Sequence, residues 1–137
     1  MAVNLDKLIK EVMDMRPDIA YFIDKNTGEV TKISATPTPQ ELTSLKNKIT
    51  SSKGNMIQMP RYPSKDNFRD MEEFIAVLKD IKLQKRLQDA LNSGGAASKF
   101  FRDALNSHNM EKEKWQEYKI KKVKNFVLQF LKDAGIS

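Results

Sequence analysis

The sequence contains no cysteine, one histidine and one tryptophan in 137 residues, and its apolar runs are only a few residues long. Without cysteine there are no disulfides, no thiolate metal sites and no cysteine nucleophile, which fits a reducing compartment. Without a run of about 18 apolar residues there is no candidate membrane span. The first residues, Met1-Ala2-Val3-Asn4-Leu5-Asp6-Lys7, lack the basic and then apolar order of a signal peptide. The chain is therefore expected to be cytoplasmic and without a membrane partner. With one histidine, His108, set between Ser107 and Asn109, no triad is apparent, because a general base needs a partner that orients it. Glu72 and Glu73 are adjacent, so on a helix they point about 100° apart and form no facing pair. Glu72 is expected to pair with a nearby arginine instead.

What is present describes an ordinary globular protein, 39% hydrophobic and 31% charged. Its length suits one domain spanning 1–137. Within it, a helix/hairpin/helix/strand part, 1–63, precedes an all-helical part, 64–137. Net charge is +6, unevenly placed. Residues 1–43 hold five Lys/Arg against seven Asp/Glu, whereas residues 44–137 hold nineteen against eleven. Such asymmetry marks either a polyanion-binding face or lysine-rich helices that keep the protein dissolved.

Local signals agree on an α+β fold, mostly helical. Leu5, Leu8, Ile9 and Val12 space a first helix from Leu5 to about Met15, with Asn4 as N-cap and Pro17 close behind. Ala20–Asp24 and Glu29–Ile33 form a hairpin around Lys25-Asn26-Thr27-Gly28, whose glycine suits a left-handed position. Thr38-Pro39-Gln40-Glu41 reads as a capping box with proline in the first turn. Leu42, Leu45 and Ile49 of that helix are expected to face inward, and Gly54 to close it. Asn55–Met59, bounded by Pro60, is a third strand at a sheet edge. A small three-stranded antiparallel sheet with helices packed on it results.

From Ser64 onward the pattern is helical, as a C-terminal helical bundle. Phe68, Met71, Phe74, Ile75 and Leu78 lead on to Leu83, Leu87, Ala90 and Leu91. A short helix carries Phe100, Phe101, Ala104 and Leu105. The repeat of Asp89–Ser93 as Asp103–Ser107 reads as two helix ends. A last helix, about Lys112 to Asp133, gathers Trp115, Tyr118, Val123, Phe126, Val127, Phe130 and Leu131 on a wide apolar face, with Gly135 as its cap.

Met71-Glu72-Glu73-Phe74-Ile75, the run from Gly94 to Leu105, Trp115 with Tyr118, and Leu131-Lys132-Asp133-Ala134-Gly135-Ile136 resemble a bacterial uncharacterised protein family, number 0158. The likeness covers roughly residues 20–136 and is strongest over 68–136. Ser98 and Ala96 depart from the family pattern, which has Phe and Gly there. The resemblance implies a bacterial origin and a shared fold, and brings no activity or catalytic residue.

Three sharper motifs have plainer readings. Asp24–Glu29 faintly resembles a calcium loop but lacks its alternating ligands, and is a hairpin turn. Gly94–Lys99 lacks phosphate-loop spacing and ends one helix before another begins. Lys99, Arg102, Lys121, Lys122 and Lys124 form a candidate polyanion-binding set, although only five of the 24 basic residues are arginine. Trp115 and Tyr118 are either packed on the helices of Phe74 and Phe101 or a partly exposed anchor for a protein partner. No cofactor, metal or catalytic residue is expected. The functional expectation is a non-enzymatic binding or regulatory module recognising a macromolecule, a protein. Nucleic acid, through the lysine-rich helical face, is the alternative, and an enzyme of unrecognised type the third. The oligomeric state stays open.

Overall fold

The computed structural model describes residues 4–136 and orders them as helix α1 (Leu5–Met13), strands β1 (Ile19–Asp24) and β2 (Val30–Ser34), helix α2 (Pro39–Ser51) and strand β3 (Met56–Gln58). Helices α3 (Ser64–Ala76), α4 (Ile81–Leu91), α5 (Ala97–Leu105) and α6 (Asn109–Asp133) follow, with a single 3-10 turn at Gly94–Ala96. The fold is α+β and mostly helical, with the three-stranded antiparallel sheet in the N-terminal half. The chain resolves into two compact units. One is built from the chain up to Arg61 together with the stretch from Lys124 onward, and the other runs from Tyr62 to Val123.

In the first unit, Asn4 caps α1 by accepting from the Lys7 N–H, and Leu8, Ile9 and Val12 are its buried face. The helix ends at Met13, two residues earlier than its apolar spacing suggests. Beyond it the Arg16 N–H donates to the Tyr21 hydroxyl, which has no counterpart in a continued helix. The strands order as β2-β1-β3, both pairings antiparallel, so β1 is central. Tyr21 pairs with Lys32, and Ile23 lies between Val30 and Ile57. Gly28 closes the hairpin at φ +74°, where a side chain would be strained. Arg61 ties the chain after β3 to the start of β1, its guanidinium donating to the carbonyls of Arg16 and Ile19. At the other end of the unit, the Gly135 N–H donates to the Lys132 carbonyl and the Ile136 N–H to the Leu131 carbonyl. That pair of bonds is a Schellman closure, with Leu131 and Ile136 both buried beside it.

Helix α2 forms as its first four residues dictate. The Thr38 hydroxyl accepts from the Glu41 N–H while the Glu41 carboxylate accepts from the Thr38 N–H. Its expected inward face is covered only in part, Leu45 being the least exposed residue of the helix. No residue of α2 is buried, and Leu42 and Ile49, expected to face inward, are 42% and 41% exposed. Instead Ser44, Asn47, Lys48 and Ser51 face a groove of about 300 Å³ that Asp24, Glu29 and Thr31 of the hairpin also line. The chain turns left-handed at Lys53 as well as at Gly54 beyond the helix.

The second unit has a core of Met71, Phe74, Ile75, Leu83, Leu87, Ala90, Leu91, Phe101, Ala104 and Leu105, with Leu78, Trp115 and Tyr118 packed against it. This unit departs from the sequence pattern at two points. The apolar spacing reads through Leu78 to Leu83 without interruption, but the chain breaks there and restarts with Asp80, whose carboxylate accepts from the Leu83 N–H. Phe68 and Phe100, read as core positions, are 40% and 45% exposed, while their neighbours Asp70 and Phe101 are buried. The repeated Asp-Ala-Leu-Asn-Ser segments do end helices, at Leu91 and Leu105, each with asparagine at the C-cap. Helix α6 begins at Asn109, a turn earlier than its apolar face suggests.

Candidate functional site

The densest polar cluster lies between α3 and α6 within the second unit. On α3, Asn67, Asp70 and Glu73 recur every three residues and so share a helix flank. On α6, Trp115, Tyr118, Lys119 and Lys122 do the same at spacings of three and four. The two rows meet in pairs. The Lys119 ammonium lies 3.0 Å from Asp70 Oδ2 and also donates to Asn67 Oδ1. The Tyr62 hydroxyl donates to the same Asp70 oxygen, and the Asn67 amide donates to Ser98 Oγ at 3.2 Å. One turn on, Glu73 Oε2 accepts from the Tyr118 hydroxyl and from the Lys122 ammonium at 3.1 Å.

Burial differs between these pairs and sets their electrostatics. Lys119 and Asp70 keep only 13% and 5% of their side-chain surface, whereas Lys122 and Glu73 are half open to water. Burial therefore holds the Lys119 amine below the ordinary lysine range, with Asp70 pulling the other way. The ammonium also sits 4.1 Å from the centre of the Tyr62 ring and 5.8 Å from that of Trp115, where ring quadrupoles favour a cation. Hydrogen bonds from Tyr118 and then Lys122 lower the Glu73 carboxyl, and the bond to Glu73 raises Lys122.

Tyr62 gives the cluster a pH signature. Burial first, and the bond to Asp70 second, push its phenol far above the ordinary value of 10.0. The folded chain then keeps a proton that the unfolded chain gives up, so stability falls as pH rises past about 10. Lys119 acts oppositely, its lowered value adding stability with pH up to its ordinary 10.5. Melting temperatures from pH 8 to 11 should thus fall less steeply for Tyr62→Phe than for the parent. Parallel curves would mean that the phenol is solvated.

Chemically the cluster is a latch. Asp70 and Asn67 take two of the three Lys119 donors, and an aromatic ring faces the ammonium. Among the described residues, no group of three His, Cys, Asp or Glu side chains is placed to hold a metal ion. His108 stands at the junction of α5 and α6, its N–H donating to the Leu105 carbonyl and its own carbonyl accepting from Lys112.

The residues singled out from sequence separate into two groups. Trp115 and Tyr118 are packed together and on Phe74. The Trp115 ring centre is 5.2 Å from Phe74, 4.8 Å from Phe101 and 6.0 Å from Tyr118, and both side chains are half-buried. Lys122 is drawn into the latch. Lys99 and Arg102 on α5, and Lys121 and Lys124 on α6, are exposed and enter no ion pair among the described residues. The arginine pairing expected for Glu72 is not among the ion pairs of the described residues, whereas its neighbour Glu73 pairs with Lys122. Asp70, Lys119 and Tyr62 were not legible as a site: the spacings on α3 and α6 mark a polar flank on each helix, but not that the two flanks meet.

A further feature of this unit is its α3–α4 turn. Val77 and Ile81 are 73% and 79% exposed, more than any other large apolar side chains described. The turn beneath them is firmly built. Val77 and Leu78 N–H groups donate to the carbonyls of Phe74 and Ile75, Asp80 caps α4, and the Gln84 amide donates to the Ile75 carbonyl at 2.8 Å. Lys79, Lys82, Lys85 and Arg86 nearby are all exposed.

A family model described as Uncharacterised protein family (UPF0158) matches residues 1–137, which extends the resemblance of residues 20–136 to the whole chain. No curated protein and no solved structure matches the chain. Among the described residues, no helix is long and apolar enough to cross a membrane.

Proposed function

We propose that this chain, which belongs to the Uncharacterised protein family (UPF0158) and takes no activity from that membership, is a non-enzymatic module that binds a protein partner in the bacterial cytoplasm. The observation that carries the reading is the rigid α3–α4 turn, which holds Val77 and Ile81 out in water. A backbone already ordered loses little entropy when a partner covers the side chains it presents, which favours association. The cations around the turn suit a partner with an acidic rim. Half-buried Trp115 and Tyr118 add a second aromatic surface whose rings and hydroxyl are already held.

Photo-crosslinking tests this in cells, with Ile81 replaced by p-benzoylphenylalanine and Glu117 as an exposed control position. One reproducible protein adduct from position 81, lost on adding Val77→Asp, is the expected result. Val77→Asp alone should change stability by no more than about 0.5 kcal/mol, because the side chain is mostly in water. A folded variant that yields no adduct from position 81 overturns the reading.

A second reading has one specific observation behind it. Phe100 is 45% exposed on α5, with exposed Lys99 and Arg102 beside it in sequence. An exposed ring among cations suits a stacked base and its phosphates. Adducts to RNA from position 100, with none to protein from position 81, would favour it.

A further inference from the structure

Strand β3 pairs on one side only. In the β2-β1-β3 order its single neighbour is β1. The Lys25 N–H donates to the Asn55 carbonyl, the Met59 N–H donates to the Tyr21 carbonyl, and Ile57 lies opposite Ile23. Antiparallel alternation therefore turns the backbone groups of Asn55, Ile57 and Met59 toward β1, and those of Met56 and Gln58 away from it. Among the described residues, the N–H and C=O of Met56 and Gln58 meet no hydrogen-bond partner. A recess of about 520 Å³, lined by Gln58, Met59, Pro60 and Phe130, opens beside the end of the strand. Edges of this kind are ordinarily guarded by charge or proline. Strand β2 has Lys32 at its centre, but Asn55 to Met59 holds no charged side chain, and Pro60 stands past the strand's end.

The edge is complementary to itself. A two-fold axis through Ile57 lays the strand antiparallel to its own copy, with Met56 of each opposite Gln58 of the other. Both residues carry outward groups, so each such pair exchanges two hydrogen bonds and no outward group is left over. The registers on either side fail. One sets Gly54, left-handed at φ +82°, against the strand, and the other sets Pro60 there, which has no N–H to give. On the axis Ile57 faces the copy's Ile57 in a non-hydrogen-bonded pair, where side chains approach most closely. The apolar row of Val30, Ile23 and Ile57 then runs on through the copy's Ile57, Ile23 and Val30. Ile57 is only half-buried, whereas Ile23 beside it is fully enclosed, so the copy covers the end of the row that the chain leaves open.

We propose that β3 is a dimerisation edge, at which a second copy of this chain adds its own β3 about a two-fold axis through Ile57. The edge lies in the first unit and does not rest on the turn at Val77 and Ile81. Its ladder is short, so the dimer is at the weak end, with a dissociation constant on the order of 100 μM.

Sedimentation equilibrium of the full chain, from about 10 μM to about 1 mM, should show monomer and dimer exchanging with that constant. Gln58→Pro removes one outward N–H and leaves every bond to β1 in place. It should weaken association at least tenfold, with an unchanged melting temperature in dilute solution. If that variant unfolds, Ile57→Lys, which sets two ammonium groups face to face on the axis, serves the same purpose. Since the chain has no cysteine, a single one reads the register directly. Ile57→Cys should oxidise to a disulfide-linked dimer at least tenfold faster than Ser34→Cys on the β2 edge, because the two Cα atoms at the axis are within disulfide reach. A chain that stays monomeric at about 1 mM overturns the proposal and leaves the edge to an extended segment of another protein. Undiminished association by a folded Gln58→Pro, or equal crosslinking from positions 34 and 57, also overturns it, because the copies then meet elsewhere.

Discussion

Replacing Asp70 by asparagine is expected to destabilise the protein by about 3–5 kcal/mol at pH 7, read from urea or thermal unfolding. The substitution keeps the shape and removes only the charge, which leaves the Lys119 ammonium with 13% of its side chain in water and only the more distant Asp66 charge opposite it. The penalty has a ceiling, since the amine can give up its proton instead. From an ordinary value of 10.5, deprotonation at pH 7 costs about 5 kcal/mol, and at pH 9 only about 2 kcal/mol. In the variant the folded chain holds fewer protons than the unfolded chain over this window, so its stability rises with pH relative to the parent. The deficit should therefore shrink between pH 7 and pH 9. A cost below about 1 kcal/mol at pH 7 would mean that water reaches the pair. The double change Asp70→Leu with Lys119→Met should recover most of the loss, because apolar replacement of both partners removes the stranded charge.

That pair also marks where sequence reasoning stops. Signals confined to a few neighbours were legible: the Thr38–Glu41 capping box, the left-handed Gly28 and the edge strand bounded by Pro60 all form as their residues require. Signals that depend on a distant partner were not. The spacing of Leu42, Leu45 and Ile49 states that one face of α2 is apolar, but not how far that face is covered, and Leu42 and Ile49 stay about two-fifths exposed. On α3, hydrophobicity favours burying Phe68 over Asp70, and the structure does the opposite. Asp70 is stabilised inside by a lysine 49 residues away and a tyrosine eight residues before it, and no local pattern encodes either contact. Lys122 was read as one of a candidate polyanion-binding set for the same reason, its partner Glu73 being equally remote. The latch and the half-covered stripe are both tertiary facts written on ordinary helical sequence.

Trp115→Ala is expected to cost about 3 kcal/mol, the lower part of the range for aromatic truncation because the ring is half-buried rather than enclosed. The case rests on what the ring holds together. Phe74 and Phe101 are 4% and 1% exposed, and Trp115 tilts against both, at about 60° to each ring plane. Tyr118 stacks beside it at an interplanar angle of 29° and also touches Phe74, and its hydroxyl in turn fixes Glu73. Removing the indole opens a void along the edge of the core and frees Tyr118, so the loss should exceed the transferred area alone. Trp115→Phe keeps an apolar ring against Phe74 and Phe101 and should lose markedly less. As Trp115 is the one tryptophan in the chain, its fluorescence reports the parent's unfolding, while circular dichroism follows the variants. A loss below about 1 kcal/mol for Trp115→Ala would show that the ring contributes little to the core. Trp115 would then be free to act as a partner anchor in addition to Val77 and Ile81. A loss near 3 kcal/mol instead makes Trp115 a support that holds Tyr118 and Lys119 in place, and leaves the docking role to side chains that the fold does not need.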